Sequence, residues 1–197
     1  MKLLPRHKKA ISRVLPMLDD GDFYLAGGTA VYYYLHHRKS YDLDFFTPLD
    51  VDLTEYKEYF PPEKTFYLSR NTVHVEIAGV KLSFFHYGHK LLRSLEDTDS
   101  ILIASLEDIL CMKINAIVGR GSRKDFTDLY FIIQEKKISP EKCIELYREK
   151  FGDYNPFILR KALAFFTDAD NEPALKMLKA VRWETVRKYF QKNFVKI

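Results

Sequence analysis

The stretch AGGTAVYYYLHHRKSYDLDFF, residues 26–46, decides both the fold and the chemistry that this sequence predicts. Two adjacent glycines follow a short apolar run, and a segment of helical composition follows the glycines. Two aspartates then alternate with apolar residues ahead of a proline at position 48. This order predicts a strand over 23–26, a glycine turn, a helix over 29–37 and a second strand over 43–46.

The two aspartates, Asp42 and Asp44, are predicted to project from one side of the second strand, because residues two apart in a strand face the same way. Two ionised carboxylates about 5 Å apart repel by about 3 kcal/mol at an effective dielectric of about 20. A divalent cation such as Mg²⁺ removes that repulsion, and hard oxygen ligands suit it. The alternative is a pair of exposed acids whose repulsion is relieved by water or by the nearby Arg38 and Lys39.

The glycine turn predicts a phosphate site. Gly27 and Gly28 free backbone N–H groups at the N-terminus of the predicted helix, where phosphate oxygens bind, and Thr29 can add a hydroxyl. No Gly-Lys-Ser/Thr follows, so the turn is not a Walker A loop. Taken alone, the turn also fits an ordinary connection between a strand and a helix. Together with the aspartates, it describes a site for a nucleoside triphosphate.

The rest of the chain reads as strands followed by helices, which is typical of an α+β fold. Region 65–87 alternates apolar and polar residues around a turn at Ala78-Gly79 and predicts a β-ribbon. Further helices are predicted over 6–18, 52–59, 105–118, 122–135, 140–150, 155–166 and 182–195. We predict a mixed β-sheet core flanked by helices over residues 1–135 and a helical C-terminal part over 136–197, the two forming separate domains or one compact unit.

Composition is that of a globular protein, which we expect in the cytoplasm. Of its 197 residues 47% are apolar, and no stretch approaches the roughly 20 apolar residues of a membrane span. The first ten residues lack the apolar segment of a signal peptide. Cys111 and Cys143 show no metal-binding spacing, so we expect free thiols in a reducing compartment. Residues 174–197 hold seven Lys or Arg against one Glu, forming either a solvated helix face or a landing surface for nucleic acid.

The quoted stretch resembles the nucleotidyltransferase superfamily, in which Gly-Gly or Gly-Ser, a short helix and Asp-x-Asp in a strand follow one another. Its longer form is similar to the AbiEii/AbiGii toxin branch, which includes the MenT toxins. The matching residues are Gly27, Gly28, Thr29, Ala30, His37, Arg38, Ser40, Asp42, Asp44 and Phe45. A second matching block comprises Leu106-Glu107-Asp108, Lys113, Ala116, Arg120 and the run Arg123-Lys124-Asp125-Phe126-Thr127-Asp128-Leu129. The resemblance spans roughly residues 22–135 and implies the fold and activity of this family.

The resemblance also implies roles for single residues. Asp42 and Asp44 would hold a catalytic Mg²⁺ or Mn²⁺. Lys113 would contact phosphate oxygens as a point charge, unless it is an ordinary surface lysine. Asp125 would complete the site and orient or deprotonate an acceptor hydroxyl. The residues that would bind the nucleotide are Gly27, Gly28, Thr29, Arg38 and Ser40.

Two acidic positions keep a structural alternative. Ser122 and Asp125 also form the pattern of a helix capping box, with Asp125 in the first turn. Asp128 lies one turn further on and shares the same helix face. Either residue could therefore serve the helix instead of the reaction.

The sequence departs from the family pattern at one position. Many nucleotidyltransferases carry a third carboxylate on a later strand, and Ser83 in VKLSFFHY stands where that acid is expected. A serine cannot accept a proton as a carboxylate does. Glu76 fits the local pattern one strand earlier but is predicted to face solvent together with His74. Either Asp125 replaces the third acid, or catalysis is slow, or the protein is a degenerate binder.

Three functional hypotheses follow. The resemblance implies a Mg²⁺-dependent nucleotidyltransferase that moves a nucleoside monophosphate from an NTP to a hydroxyl on RNA or protein, with a tRNA 3′ end as a candidate acceptor and an antitoxin protein as partner. Ser83 motivates the alternative of a degenerate module that binds nucleotide or RNA without catalysis. A third hypothesis is transfer to a small molecule such as an antibiotic, which calls for an acidic pocket, and the basic C-terminal helices argue against it.

Overall fold

A mixed β-sheet is the centre of the first compact unit of the computed structural model, which describes residues 3–20, 22–98 and 101–194. Within these residues the strands are β1 (Tyr24–Ala26), β2 (Leu43–Thr47), β3 (Thr65–Leu68), β4 (Thr72–Ile77), β5 (Val80–His86), β6 (Glu96–Thr98) and β7 (Ile101–Ile103). Their order across the sheet is β3-β4-β5-β2-β1-β7-β6. β1 runs parallel to β7 and β2 parallel to β5, whereas the other neighbouring pairs are antiparallel. The mixed sheet with its helices confirms the predicted α+β class.

Helices make up most of the remaining described residues. The α-helices are α1 (Pro5–Asp20), α2 (Gly27–Leu35), α3 (Leu106–Arg120), α4 (Arg123–Lys136), α5 (Pro140–Phe151), α6 (Pro156–Ala164), α7 (Thr167–Asn171) and α8 (Trp183–Phe194). Two 3₁₀ helices span Leu53–Tyr59 and Pro62–Lys64. Residue 195, at which the last predicted helix ends, lies outside the described residues. None of the described helices is both long and apolar enough to cross a bilayer.

Contacts between residues group the chain into two compact units. The first contains Met1–Tyr33, Ser40–Lys90 and Ser94–Ser105, and the second contains Tyr34–Lys39, Leu91–Arg93 and Leu106–Ile197. The whole sheet belongs to the first unit, and α3 to α8 belong to the second. The long helical segment of the second unit begins at Leu106, whereas the predicted domain boundary lies at 135/136. The division into domains stays a prediction.

Aromatic packing under the sheet holds the first unit together. Leu43 and Phe45 are fully buried on one face of β2, as their alternation with the aspartates predicts. Phe45 stacks on Phe84 of the neighbouring strand β5, with ring centroids 5.5 Å apart, and Phe23 meets the edge of Phe84 at 5.7 Å. Such pairs contribute about 0.5–1.5 kcal/mol each beyond the area they bury. This core leaves the opposite face of β2 free to carry polar groups.

Two predicted turns have different outcomes. The turn at Ala78-Gly79 is confirmed, because both residues adopt positive φ, +51° and +73°, as a two-residue hairpin turn requires. The separate turn predicted at Gly27-Gly28 is wrong, because β1 ends at Ala26 and α2 begins at once at Gly27. The helix also ends at Leu35, two residues early, since His36 adopts a left-handed φ of +49°.

The second unit is a set of helices with local end signals that match the prediction. Ser139 caps α5 by accepting a hydrogen bond from the Lys142 backbone N–H at 3.2 Å, and Pro140 follows as the first helical residue. Asn155 caps α6 in the same way, accepting from the backbone N–H groups of Phe157 and Ile158. The short helix α7 was not predicted, because five residues are too few to show a helical period.

The cysteines are both buried and free, as predicted. Burial raises the pKa of the Cys111 and Cys143 thiols to about 12. They are core residues in the second unit, and their thiols stay protonated at neutral pH.

Candidate active site

Asp42 and Asp44 line one open cleft of about 330 Å³ in the first unit. Asp42 is exposed just ahead of β2, and Asp44 is half-buried in its second position. The side of β2 opposite the aromatic core therefore presents both carboxylates to solvent. The strand places them as its alternation predicts, with Leu43 between them fully buried.

A row of polar side chains crosses the sheet beside Asp44. On β5, Ser83 lies directly opposite Asp44 in the parallel register, and on β4 His74 lies opposite Ser83. The His74 Nδ1 and Ser83 Oγ atoms are 3.2 Å apart, and both residues line the cleft. Ser83 thus occupies the position next to Asp44 at which a third carboxylate was expected. Glu76, also considered for that role, forms an ion pair with Lys64 at 3.0 Å.

Gly27 is required by its closeness to the Asp44 carboxylate. A Cβ atom built on Gly27 would lie 2.7 Å from Asp44 Oδ2, closer than real Cβ contacts, and the residue has a φ of +70°. The pairing of Ala26 with Asp44 across β1 and β2 brings the two positions together. The carboxylate therefore lies at the N-terminal end of α2, where backbone N–H groups are also available. Gly28 is the second residue of that helix.

The Thr29 hydroxyl binds the backbone that leads into β2 and also lies against the Ser40 hydroxyl. Thr29 Oγ1 donates a hydrogen bond to the Asp42 carbonyl oxygen at 2.5 Å, and the Thr29 and Ser40 hydroxyl oxygens are 2.9 Å apart. Thr29 is 1% exposed. The Thr29 hydroxyl holds the backbone of Asp42 in place, and the predicted contact of Thr29 and Ser40 with nucleotide stays a prediction.

A second cluster of predicted residues lies in the second unit and centres on Asp128, which is fully buried. Arg38 donates to both carboxylate oxygens, with Nε to Oδ1 at 2.6 Å and a terminal nitrogen to Oδ2 at 2.7 Å. Lys113 Nζ lies 2.7 Å from Oδ2, and His37 Nε2 lies 2.7 Å from Oδ1. The predicted phosphate ligand Arg38 therefore has its guanidinium engaged by Asp128, and its contact with phosphate stays a prediction.

Asp125 is the second carboxylate of this cluster and is also fully buried. It accepts hydrogen bonds from Lys113 Nζ at 3.0 Å, from Arg120 Nε at 2.8 Å and from Ser122 Oγ at 2.7 Å. Ser122 is the N-cap residue of α4, but its hydroxyl donates to Asp125 instead of accepting from the helix backbone. The capping-box pattern therefore predicts the start of α4 correctly, but the Ser122 hydroxyl bonds to the Asp125 side chain and not to a backbone N–H of the helix.

Opposite charges decide the protonation of this cluster. Burial acts to raise the pKa of Asp125, but Lys113 and Arg120 and the Ser122 hydrogen bond lower it to about 2. For Asp128, burial acts in the same direction and is outweighed by Lys113, Arg38 and His37, which hold its pKa well below the ordinary value. The two carboxylates raise the pKa of Lys113 against the effect of burial. Asp125 is therefore a weak base, and its geometry suits it to orient Lys113.

Two members of the cluster, Asp128 and His37, have more contacts in the structure than the sequence indicated. Asp128 receives three donors, whereas the sequence pattern shows only that it shares a helix face with Asp125. His37, which in the sequence is only a residue matching the family, contacts the same Asp128 oxygen as Arg38 does. Burial lowers the pKa of His37, which keeps its ring neutral at physiological pH. The signal available in the sequence for Asp128 was its position three residues after Asp125, which places both acids on one face of the helix.

Asp108, in the Leu106-Glu107-Asp108 block, has a structural role. Its carboxylate accepts hydrogen bonds from the backbone N–H groups of Leu92 and Arg93 and forms a fully buried ion pair with Lys150 at 2.7 Å. It thereby fastens residues 91–93 to α3 and α5 within the second unit. Among residues 3–20, 22–98 and 101–194, no group of three or more His, Cys, Asp or Glu side chains could hold a metal ion.

Comparison with known proteins agrees with these features. The family described as "Nucleotidyl transferase AbiEii toxin, Type IV TA system" matches residues 13–193. An uncharacterised protein of Aquifex aeolicus (strain VF5) is 34% identical over 199 residues, which cover 98% of this chain and 96% of that protein.

Two crystal structures share the fold. JHP933 from Helicobacter pylori has a TM-score of 0.51 at 18% identity, covering 99% of this chain and 96% of that one. A second crystal structure, of a candidate nucleotidyltransferase from H. pylori, has a TM-score of 0.53 at 17% identity and covers 98% of both chains. The family match spans nearly the whole sequence and both motif blocks, so this chain belongs to the AbiEii nucleotidyltransferase toxin family.

Proposed function

We propose that the cleft at Asp42 and Asp44 binds a nucleoside triphosphate with Mg²⁺ or Mn²⁺ and transfers its nucleoside monophosphate to a hydroxyl on RNA, such as a tRNA 3′ end. The observation that carries this proposal is that Asp42 and Asp44 line one cleft and that the Asp44 carboxylate lies against Gly27 at the start of a helix. The carboxylates need a cation, and they lie next to backbone N–H groups of the kind that bind phosphate.

The carboxylates suit a magnesium ion by their chemistry. Mg²⁺ is usually held by one or two carboxylates together with substrate phosphates and water, so a site of two aspartates in an open cleft fits it. Asp42 and Asp44 would be the protein ligands. When bound, the ion neutralises charge on the phosphates and orients them.

The N-terminus of α2 is the proposed position of the triphosphate. Gly27 lacks the Cβ atom that would push against Asp44, so the Asp44 carboxylate can lie against the first turn of α2. Gly28 and Thr29 lie in the same first turn. Ser40, bound to Thr29, would supply a further hydroxyl at the same place.

The reaction is an in-line displacement at the α-phosphorus. The acceptor oxygen forms a bond to phosphorus as the bond to the pyrophosphate oxygen breaks, pyrophosphate leaves, and the hydroxyl proton passes to water in the open cleft. Asp42 and Asp44 would hold the ion that orients the triphosphate for this attack, and the α2 N-terminus would stabilise the charge on the leaving group.

Lys113, Arg38 and Asp125 enter the proposal through the family pattern. Lys113 carries a charge that Asp125 and Asp128 hold in one position, which favours a fixed electrostatic role over proton transfer. Asp125, with a pKa of about 2, would orient Lys113. Substitution Lys113→Met should abolish transfer, and Mg–NTP titration of this variant tests whether the charge acts in binding or in turnover.

The partners follow from the family. The family is one of toxin–antitoxin systems, so an antitoxin is the regulatory partner, and we propose the cytoplasm, where NTPs and RNA meet, as its place of action. The exposed basic residues of the C-terminal part support contact with RNA; they are Lys176, Lys179, Arg182, Lys188 and Lys192. Salt dependence of RNA binding would test this, because neutralised phosphates release counterions.

One experiment tests the central proposal. The protein is incubated with each labelled NTP, Mg²⁺ and total RNA, and transfer of label is compared with that of Asp42→Asn and Asp44→Asn. Asp50→Asn is the matched control, because Asp50 is 70% exposed and does not line the cleft. We expect label on RNA with the intact protein and the control only. Equal labelling by all four proteins would exclude the aspartates as the site of transfer.

Ser83 supports a second candidate, a module that binds Mg–NTP or RNA without transferring a nucleotide. It stands beside Asp44 where a third carboxylate was expected. Calorimetry with Mg–NTP, together with the transfer assay, distinguishes the transferase from the binding module and can also reject both. Binding of Mg–NTP that depends on Asp42, without transfer to any RNA, indicates the binding module, whereas binding that ignores Asp42 rejects both.

A further inference from the structure

An exposed aromatic side chain lines the same cleft as the aspartates. Phe66 lies on the edge strand β3 and is 62% exposed, although it is a large apolar residue. Its neighbour Tyr67 is 53% exposed and packs its ring against that of His74, with centroids 6.0 Å apart. Phe66 and His74 both line the cleft of Asp42 and Asp44. Contiguous exposed apolar side chains such as these often mark a binding surface.

A β-bulge turns Phe66 toward the cleft. On β3, Thr65 pairs with Val75 and Tyr67 pairs with His74, so Phe66 is an extra residue without a partner in the β4 register. Bulges of this type re-aim a side chain and are common beside active sites. The aromatic ring is thus positioned by the backbone of the sheet.

A positive charge accompanies the rings. Lys81 of β5 is exposed, lines the same cleft, and belongs to the strand that also carries Ser83. An aromatic face for a base and a cation for a phosphate are the two elements with which proteins bind single-stranded nucleic acid.

The sheet order tells which part of the substrate reaches Phe66. β1 and Gly27 lie on one side of β2, whereas β5, β4 and β3 follow in order on the other side. In an in-line displacement the attacking and leaving oxygens lie on opposite sides of the phosphorus. If pyrophosphate leaves toward Gly27, the acceptor approaches over β5, β4 and β3. Three strand spacings of about 4.8 Å put β3 about 14 Å from β2, within reach of the acceptor strand.

We propose that Phe66, supported by Tyr67, is a stacking platform for a nucleobase near the 3′ end of a single-stranded RNA acceptor, and that Lys81 contacts its phosphate. This proposal rests on the proposed function, because that function defines the side from which the acceptor comes. The platform gives affinity without strong sequence preference, since every base presents a π-face.

The test measures RNA binding without NTP. A fluorescent single-stranded RNA with a mixed sequence is titrated with the full chain, with Phe66→Ala and with Phe66→Trp, and the same RNA carrying abasic residues at its two 3′-terminal positions serves as the ligand control. The protein control is Phe157→Ala, which removes a phenylalanine that is 70% exposed on α6. Circular dichroism and thermal unfolding check that each variant folds.

We expect Phe66→Ala to bind the intact RNA about 5- to 100-fold more weakly, with Phe66→Trp and Phe157→Ala close to the unchanged protein. The abasic RNA should bind the intact protein and Phe66→Ala alike. Equal affinity of Phe66→Ala and the intact protein for the intact RNA overturns the proposal. It is also overturned if Phe66→Ala changes only self-association in sedimentation, which indicates a protein partner, or only Mg–NTP affinity in calorimetry, which indicates the base of the incoming nucleotide.

These outcomes are separate from those of the proposed function. Transfer chemistry is judged by the effect of Asp42→Asn on labelling and on Mg–NTP binding, neither of which enters the RNA titration. If RNA binding depends on Phe66 but no nucleotide is transferred, the stacking proposal stands and the proposed function is wrong.

Discussion

Gly27 and Asp44 are joined by a close approach that allows no side chain at the glycine. A Cβ at residue 27 would lie 2.7 Å from Asp44 Oδ2 and 3.3 Å from Asp44 Cβ, so the carboxylate would have to move. The family's glycine therefore has a defined task here. It lets an acidic side chain of β2 lie against the first turn of α2.

Substitution Gly27→Ala should displace the Asp44 carboxylate and lower nucleotidyl transfer by about a hundredfold, because small displacements of a positioning group have effects of that size. The left-handed φ of +70° should also cost about 1–2 kcal/mol of stability. Transfer rate and the free energy of unfolding in urea measure the two effects.

Gly79→Ala is the matched control for this variant. Gly79 has a similar φ of +73°, but nothing lies within 4 Å of a Cβ built there. It should lose about the same stability and keep its transfer rate. A similar loss of activity in both variants would mean that backbone strain, and not the contact with Asp44, is responsible.

Substitution Ser83→Asp should create a third carboxylate beside Asp44 and make the protein depend more strongly on metal. Without divalent cations the added charge should destabilise the fold by about 3 kcal/mol, from repulsion at about 5 Å. Millimolar Mg²⁺ should restore most of this and raise transfer by about tenfold or more.

The variant Ser83→Asn separates the effect of charge from that of size, because asparagine has the size of aspartate but no charge. Thermal unfolding with EDTA and with Mg²⁺ is the measurement for both variants. If the two respond to Mg²⁺ in the same way, then residue 83 does not adjoin a metal site.

Asp128→Asn should destabilise the protein by about 3–5 kcal/mol, because it leaves the buried Arg38 and Lys113 charges without their main partner. Asp50→Asn removes an exposed partner of Arg70 and should change stability by less than about 1 kcal/mol. Urea unfolding measures both. Equal, small effects would show that the ion-pair cluster contributes little to folding.

Acid should weaken the fold through Asp125. Its pKa falls from 3.8 to about 2 on folding, so its contribution is present above pH 4 and is lost as the pH falls from about 4 to about 2. The shift corresponds to about 2 kcal/mol. The free energy of unfolding, measured from pH 7 to pH 2, should fall more steeply in this window for the intact protein than for Asp125→Asn. Parallel curves would contradict the assignment.

Local patterns in the sequence were sufficient for much of the fold. Alternation of apolar residues predicted β2, β4 and β5, and prolines indicated the starts of α5 and α6. The antiparallel pair of β6 and β7 was missed, because three-residue strands show no alternation, and β7 is held by pairing with β1. The start of α2 was misplaced, since a glycine reads as a turn while the strand and helix in fact join directly.

The site divides in the same way. By itself, the sequence determined that Asp42 and Asp44 share a strand face, that glycines precede them and that the chain resembles a nucleotidyltransferase, because each follows from spacing along one element or from matching motifs. Tertiary structure alone decided that Gly27 touches Asp44, that Ser83 stands beside it, that Phe66 enters the cleft and that Asp128 binds Arg38 and Lys113. These contacts join residues distant along the chain, and strand register, a bulge and the exclusion of water from buried charges determine them.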